Sequence, residues 1–511
     1  MNAVTIADHP SAADRSRSIA PGKAPSPSDA SVAVRSASTL GGSLLLTAML
    51  GFVVQVLSQR HLGTSRVGVL GGAESLAVIL LGLLSLGLET YTLKEVAVEP
   101  GEAKRFVPGV IAFRGGLTLV VVALTSLVLS FIGRGRLAIA LFVLFGASRF
   151  LLQSNDMLAA CLKAVGAVRS LPRVNVTSKV IWAAVILVGV FGGVGPVAVP
   201  VGWVVGESIK FVILARQVRQ HLAIRWTLRN QHVARVLRAS LPFTAGVIVA
   251  GWSGFFDTML MSFQLPDHEV GLYRFAQQIS GVTFLLGTVL PWVLLPLASR
   301  ARARSHAEYI NVIRSSLQFV VTLAIPASVL LALNADGIAN LMGREWRPAI
   351  PALRILSLSL TTTYLVIIAV MFLQVEGRSW QVVRRSASAL VSGMLVNIAF
   401  LRFGPRWFGD GGAGTFASLV VAGVELLTVV LLFSLLGRRV WGRRTLTAIG
   451  WTLLATCNIV VFDRLLVGRA PDLVRMIVDG ALYPVFLVLW GAVTLRELRG
   501  VNEMRRSGAV G

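Results

Sequence analysis

Six basic side chains (Arg114, Arg149, Lys179, Lys210, Arg274 and Arg354) and six acidic ones (Glu74, Glu89, Asp156, Glu207, Asp257 and Glu425) stand inside stretches that are otherwise apolar. Their types allow two kinds of chemistry. A guanidinium presents a planar fork that grips a phosphate through paired hydrogen bonds. A carboxylate withdrawn from water favours a proton or a bound cation. Asp156, Glu207, Asp257 and Glu425 are therefore candidates for coupling to H+ or Na+, or for gating, while Glu89 sits too close to an interface to rank with them. No HExxH or CxxC pattern occurs, and both cysteines, Cys161 and Cys457, fall in predicted helices. No nucleophile and base stand together, so no metal, organic cofactor or catalytic residue is expected.

The elements that must position these groups are membrane helices. The chain of 511 residues is 55% hydrophobic and 14% charged, with a mean hydropathy of +0.75. A soluble domain carries about 25% charged residues. Apolar runs of spanning length follow one another at 38–59, 69–91, 108–131, 137–162, 174–193, 195–215, 241–264, 270–297, 312–334, 350–374, 380–401, 413–436, 446–467 and 473–495. The fold class expected is an all-α polytopic membrane protein of about 14 transmembrane helices. The stretch 335–349 has room for a short interfacial helix. Facing all twelve charges to lipid would cost roughly 30 kcal/mol. They must instead face one another or a wet interior.

The net charge of +24 first suggests a nucleic-acid partner, and its placement argues for topology instead. With the N-terminus inside, the basic clusters fall on the cytoplasmic side: Arg15, Arg17, Lys23 and Arg35 in the tail, Arg216, Arg219, Arg225, Arg229, Arg235 and Arg238 in the longest loop, and then Arg300, Arg302, Arg304, Arg438, Arg439, Arg443 and Arg444. That is the positive-inside pattern. Both termini are expected in the cytoplasm, and the basic flanks favour anionic membrane lipids. Residues 1–36, rich in Ser, Ala and Pro, are expected to form a disordered cytosolic tail and contain no apolar core of a signal peptide. In this orientation Arg114 and Lys179 lie toward the cytoplasm. Arg149, Glu207 and Lys210 lie mid-membrane, and Asp257, Arg274 and Arg354 lie toward the outside. Pairing is expected between Glu207 and Lys210, one turn apart, between Arg149 and Asp156, two turns apart, and between Asp257 and Arg274 across a short loop.

A repeat organises the chain. Val67-Gly68-Val69-Leu70 aligns with Val270-Gly271-Leu272-Tyr273, 203 residues on, each phrase standing between a polar turn and a long apolar run. Both copies start on the inside, so the repeat is parallel and implies a pseudo-twofold axis along the membrane normal. Two six-helix lobes (37–238 and 239–437) are expected. Two further helices (438–498) and a cytosolic tail (499–511) complete the chain. Gly68 and Gly271 permit a tight re-entry with no Cβ against the neighbouring helix.

The segment "FDTMLMSFQLPDHEVGLYRFAQ" and the phrase Leu295-Pro296-Leu297-Ala298-Ser299-Arg300 resemble the helix seven to eight signature of bacterial polysaccharide flippases, in the multidrug/oligosaccharidyl-lipid/polysaccharide exporter superfamily. "HLGTSRVGVL" resembles the first-half counterpart but has Leu70 where the family has tyrosine. The resemblance covers the layout from about residue 38 to 495 and is motif-specific at these two places. It implies a flippase that moves a polyprenyl-pyrophosphate-linked oligosaccharide from the inner to the outer leaflet by alternating access, for cell-surface polysaccharide. It further implies residence in the bacterial cytoplasmic membrane, a monomeric state, and a polymerase or glycosyltransferases of the same pathway as partners. Under it, Arg114, Arg149, Lys179, Lys210, Arg274 and Arg354 become candidates for the pyrophosphate. Rival readings are a lipid II flippase, an ion-coupled multidrug exporter, a membrane glycosyltransferase, polymerase or ligase, and a passive envelope scaffold. The short outer loops disfavour an enzyme, and the buried charges disfavour a scaffold.

Overall fold

A computed structural model of the chain describes residues 46–466, apart from 86, 283–284, 438–439 and most of 223–253, together with parts of 474–482. The N-terminal tail, most of the basic loop, the start of the seventh apolar segment and most of the fourteenth lie outside the described residues. Within them the chain is helical throughout, as hydrocarbon requires of a backbone that must satisfy its own polar groups. The helices are α1 (46–62), α2 (Thr64–Gly82), α3 (Leu88–Val98), α4 (Ala103–Phe131), α5 (Arg136–Ala164), α6 (Leu171–Phe191), α7 (Ala198–Leu222) and α8 (254–264). They continue as α9 (Asp267–Val282), α10 (Leu285–Arg304), α11 (His306–Leu333), α12 (Ala335–Met342), α13 (Ile350–Val375), α14 (Ser379–Phe400), α15 (Gly404–Phe408), α16 (Gly412–Leu436) and α17 (Arg443–Leu466).

Among the described residues, ten helical stretches are long and apolar enough to cross a membrane. They correspond to the second to sixth and ninth to thirteenth apolar segments. The described part of the first is shorter than a full span. The others are interrupted by residues outside the description. One expectation needs adjusting and another is met. The run 69–91 is not one helix: α2 stops at Gly82, a tight turn follows at Leu83–Ser85, and Gly87 at φ 61° redirects the chain into α3. The interfacial element at 335–349 is helical α12 followed by a 3-10 turn, Arg344–Ala349. The close succession of α6 and α7 holds because Gly193 and Gly195, at φ 85° and 75°, reverse the chain in a few residues.

α2 packs on α5, and α5 also packs on α3, α4 and α7, with α6 against α7; in the second half α13 packs on α10, α11 and α16, and α14 on α16. Between these groups the extensive contact is α2 on α9. Here the repeat becomes geometric. A Cβ on Gly68 would lie 1.7 Å from the carbonyl oxygen of Asp267, and a Cβ on Gly271 would lie 1.9 Å from that of Thr64. Thr64 and Asp267 are themselves equivalent under the 203-residue offset, so the contact is reciprocal. Small residues are what let two membrane helices approach this closely.

Around that crossing the end of the helices near Thr64 and Asp267 is tied by polar contacts. Glu269, in the first turn of α9, accepts the backbone N–H groups of Gly411 (2.9 Å) and Ala413 (3.2 Å) at the start of α16, where a carboxylate complements the helix N-terminus. His268 reaches Thr64 Oγ1 at 2.7 Å and Asp410 at 3.2 Å. Beneath lies an apolar core that includes Trp346, Tyr273 and Phe275, with the Phe275 and Trp346 rings 5.0 Å apart.

Candidate functional site

Glu74 is the junction of the charged interior. It lies ten residues into α2, about 15 Å along the helix. Its Oε1 meets Arg149 Nη2 of α5 at 3.3 Å, and its Oε2 meets Arg274 Nη2 of α9 at 2.6 Å. The two arginines come from different helical groups and share one carboxylate, so the local charge is not neutralised. Gly71, one turn before Glu74, makes room for the arginine stem: a Cβ there would sit 3.2 Å from Arg274 Cγ. The Arg274 guanidinium also stands 5.2 Å from the Phe255 ring.

This overturns the expected Asp257–Arg274 pair. Asp257 is buried and accepts from Asn397 Nδ2 at 2.7 Å and from the Tyr273 hydroxyl at 3.3 Å. The reason is helical geometry. Neighbouring residues point about 100° apart around a helix, so Tyr273 faces α8 and Asp257 while Arg274 faces α2. Because Asn397 supplies the shorter of the two bonds, Asn397→Ala should cost about 1–3 kcal/mol. Tyr273→Phe should cost less. Thermal unfolding of the two variants in nanodiscs checks the order.

The other two expected pairs are also absent among the described residues. Glu207 accepts instead from Asn155 Nδ2 at 2.7 Å, and the same amide reaches the Glu207 backbone oxygen at 2.9 Å. Arg149 turns to Glu74 and away from Asp156. Lys179 is held by aromatic faces, its Nζ 3.4 Å from the Trp182 ring centroid and 4.2 Å from that of Trp203, a cation–π arrangement. Gly51 of α1 admits it, since a Cβ there would lie 3.3 Å from Lys179 Cε. Electrostatic coupling links Arg149 to Glu207 and Asp156, Lys179 to Glu74, Glu207 and Lys210, and Asp156 to Lys210. Arg149 and Arg274 thus meet at Glu74, and Lys179, Glu207, Lys210 and Asp156 lie within electrostatic range of that junction or of one another on α5, α6 and α7.

The remaining candidates stand apart. Arg354 pairs with Asp336 of α12, where both are substantially exposed. Arg114 is buried and donates to the Ser85 carbonyl at 3.2 Å, and among the described residues its Nε and Nη1 have no hydrogen-bond partner. Glu89 opens α3 and pairs with Lys163 at 3.2 Å on the surface. Glu425 of α16 lies within hydrogen-bond distance of the Thr362 and Thr363 hydroxyls of α13. Sequence reasoning had no role for Glu74 and passed over Asn155, Asn397, Trp182 and Trp203. For Glu74 the signal was present: it is the one charged residue between Val67 and Leu88.

Residues 33–299 match a family model described as polysaccharide biosynthesis protein. The chain belongs to that family. No curated protein matches it in sequence. Among solved structures this polysaccharide biosynthesis protein resembles the lipid II flippase MurJ in an inward closed conformation, at TM-score 0.69 and 13% identity over 88% of this chain and 97% of that one. It also resembles an inward-facing MATE-family multidrug resistance transporter of the MOP superfamily, at TM-score 0.56 and 16% identity over 75% and 94%. The eukaryotic MATE transporter AtDTX14 follows at TM-score 0.55 and 15% identity over 79% and 96%. At these identities the likeness is one of fold. This member of the family is accordingly a multi-span membrane protein with a MurJ- and MATE-like fold.

Proposed function

We propose that the protein is a flippase that carries a polyprenyl-pyrophosphate-linked oligosaccharide from the inner to the outer leaflet, for cell-surface polysaccharide. The observation that carries this reading is the sharing of Glu74 by Arg149 and Arg274. Each arginine can leave the carboxylate for a phosphate, two of whose oxygens can accept the guanidinium's forked pair of N–H bonds. Since the two stand on different helical groups, an anion that replaces Glu74 changes the balance of forces holding α2 to α9. Binding then favours one arrangement of the groups over the other, as alternating access requires. Lys179, Lys210, Arg114 and Arg354 would pass the headgroup along the membrane normal, and Asp156, Glu207, Asp257 and Glu425 would serve coupling or gating, with H+ or Na+ as the driving ion. In this reading two six-helix lobes and two C-terminal helices make up about 14 spans, both termini are cytoplasmic, and a monomer works beside the glycosyltransferases or polymerase of its pathway in the bacterial cytoplasmic membrane.

Proteoliposomes containing a fluorescent polyprenyl-pyrophosphate oligosaccharide provide the test. Wild type should expose the lipid to an outer-leaflet quencher, and Arg274→Ala should slow this by about 10–100-fold, in line with a lost charge-assisted contact of roughly 1.5–3 kcal/mol. A wild type that leaves the lipid in place but extrudes small organic cations would replace this reading with that of an exporter.

A further inference from the structure

Glu425 is the only ionisable residue of α16, and among the described residues no cation pairs with it. It sits in a cage of oxygens from α13. Thr362 Oγ1 lies 2.7 Å from Glu425 Oε2 and 2.5 Å from the Ser359 carbonyl oxygen. Thr363 Oγ1 lies 2.6 Å from Glu425 Oε1 and 3.2 Å from the same carbonyl. The Ser359 hydroxyl bonds to the Leu356 carbonyl at 2.9 Å.

Counting hydrogens decides what the cage holds. The three short contacts, at 2.5, 2.6 and 2.7 Å, each need one hydrogen between two oxygens. Each threonine hydroxyl has one, and the carbonyl has none. With an ionised carboxylate, Thr362 would face two acceptors at short range with a single hydrogen to give. A proton on Glu425 Oε2 removes the deficit: the carboxyl donates to Thr362, Thr362 donates to the Ser359 carbonyl, and Thr363 donates to Oε1.

The surroundings agree. The charged groups on the elements packed around α16 are engaged elsewhere or lie at its ends. Arg354 of α13 pairs with Asp336, and Arg274 of α9 with Glu74. Arg385 of α14 binds the Leu431 carbonyl and Ser434, with Arg384 beside it in sequence. Asp267, His268 and Glu269 open α9, Arg402 and Arg406 precede α16, and Arg344, Glu345 and Arg347 stand in the 3-10 turn before α13, away from the middle of α16.

We propose that Glu425, with Thr362, Thr363 and the Ser359 carbonyl, is a proton-binding site, and that this proton is the coupling ion of the transport proposed above, on which the second clause rests. Infrared difference spectra of the full-length protein in nanodiscs read the site without any transport. At neutral pH wild type should show a protonated carboxyl C=O band that is absent from Glu425→Gln, an isosteric replacement for the neutral acid. Thr362→Val should shift that band and keeps the test open should the glutamine variant fail to fold. No band lost in the first and no shift in the second would overturn the site. So would sodium raising the unfolding temperature of wild type and not of Glu425→Gln. Coupling is read in proteoliposomes with the lipid-linked oligosaccharide. One proton per lipid should change the steady-state leaflet ratio about tenfold per unit of pH gradient, and Glu425→Gln should show no response. A variant that still responds overturns the coupling. Should wild type carry the band yet move no lipid, the proposed function falls and the proton site stands.

Discussion

Glu74→Ala is expected to lower the unfolding free energy by about 3–5 kcal/mol, the loss typical of breaking a buried ion pair from one side. The side chains of Glu74, Arg149 and Arg274 are 21%, 24% and 16% exposed, so bulk water does little to screen them. Without the carboxylate the two guanidinium groups face each other across α2 with no acid in contact, Glu207 and Asp156 acting on Arg149 only from farther off. The 2.6 Å contact to Arg274 should account for more of the loss than the 3.3 Å contact to Arg149. Arg274→Met in the Glu74→Ala background should therefore recover part of the stability, because it removes one stranded charge. Thermal unfolding in nanodiscs measures both. A loss under about 1 kcal/mol, the range of an exposed pair, would mean that water already fills the space between the helices. In the flipping assay Glu74→Ala has a second expected effect. With no carboxylate to displace, the arginines bind the pyrophosphate more tightly and release it more slowly, so lipid occupancy rises while turnover falls.

The sequence announces the membrane helices because hydrocarbon admits little else. A run such as Gly412–Leu436, with Glu425 its one charge, reads as a span before any coordinates exist. The interior charges are legible for the same reason, since each is costly against lipid. Their partners are not. Spacing along one helix favours Glu207 with Lys210 and Arg149 with Asp156, yet Asn155 takes the first acid and Glu74 takes the arginine. Partner choice depends on how helices are rotated about their axes, and neither composition nor an i, i+3 interval records that rotation. Tyr273 and Arg274 show the sensitivity: one residue of rotation would have given Asp257 to the arginine. The Glu425 cage escapes notice for a different reason. Threonines in an apolar helix usually bond back to their own backbone, and nothing in "SLTTTY" says that two of them turn toward α16.

Gly271→Ala is expected to part α2 from α9 at the end where Thr64 and Asp267 meet. The added Cβ would lie 1.9 Å from the Thr64 carbonyl oxygen, where ordinary contact begins at 3.4 Å. The obstruction is backbone, so no side chain can swing aside and α2 and α9 must separate. Overpacking of this kind costs about 1–3 kcal/mol or somewhat more. The cost falls on the arrangement in which the two helices touch, and much less on one in which they are apart. If two such arrangements exchange, the same 1–3 kcal/mol shifts their ratio about 5- to 150-fold toward the open one. Gly68→Ala should act alike, since its Cβ would meet the Asp267 carbonyl at 1.7 Å. The two changes together should add less than their sum, because the first already parts the helices that the second would strain. Spin labels at the exposed positions Arg66 of α2 and Arg406 of α15, which packs on α16, with Cys161 and Cys457 replaced, report how far α2 moves from the second group of helices. A longer interspin distance in either variant is the expected result. A distance unchanged from wild type, in protein whose unfolding temperature has dropped, would mean that the crossing only stabilises the fold and that the helical groups part elsewhere. The reciprocity of the contact is what makes the experiment discriminating. A gate built on a twofold repeat must respond equally from its two sides, whereas an incidental close approach has no reason to.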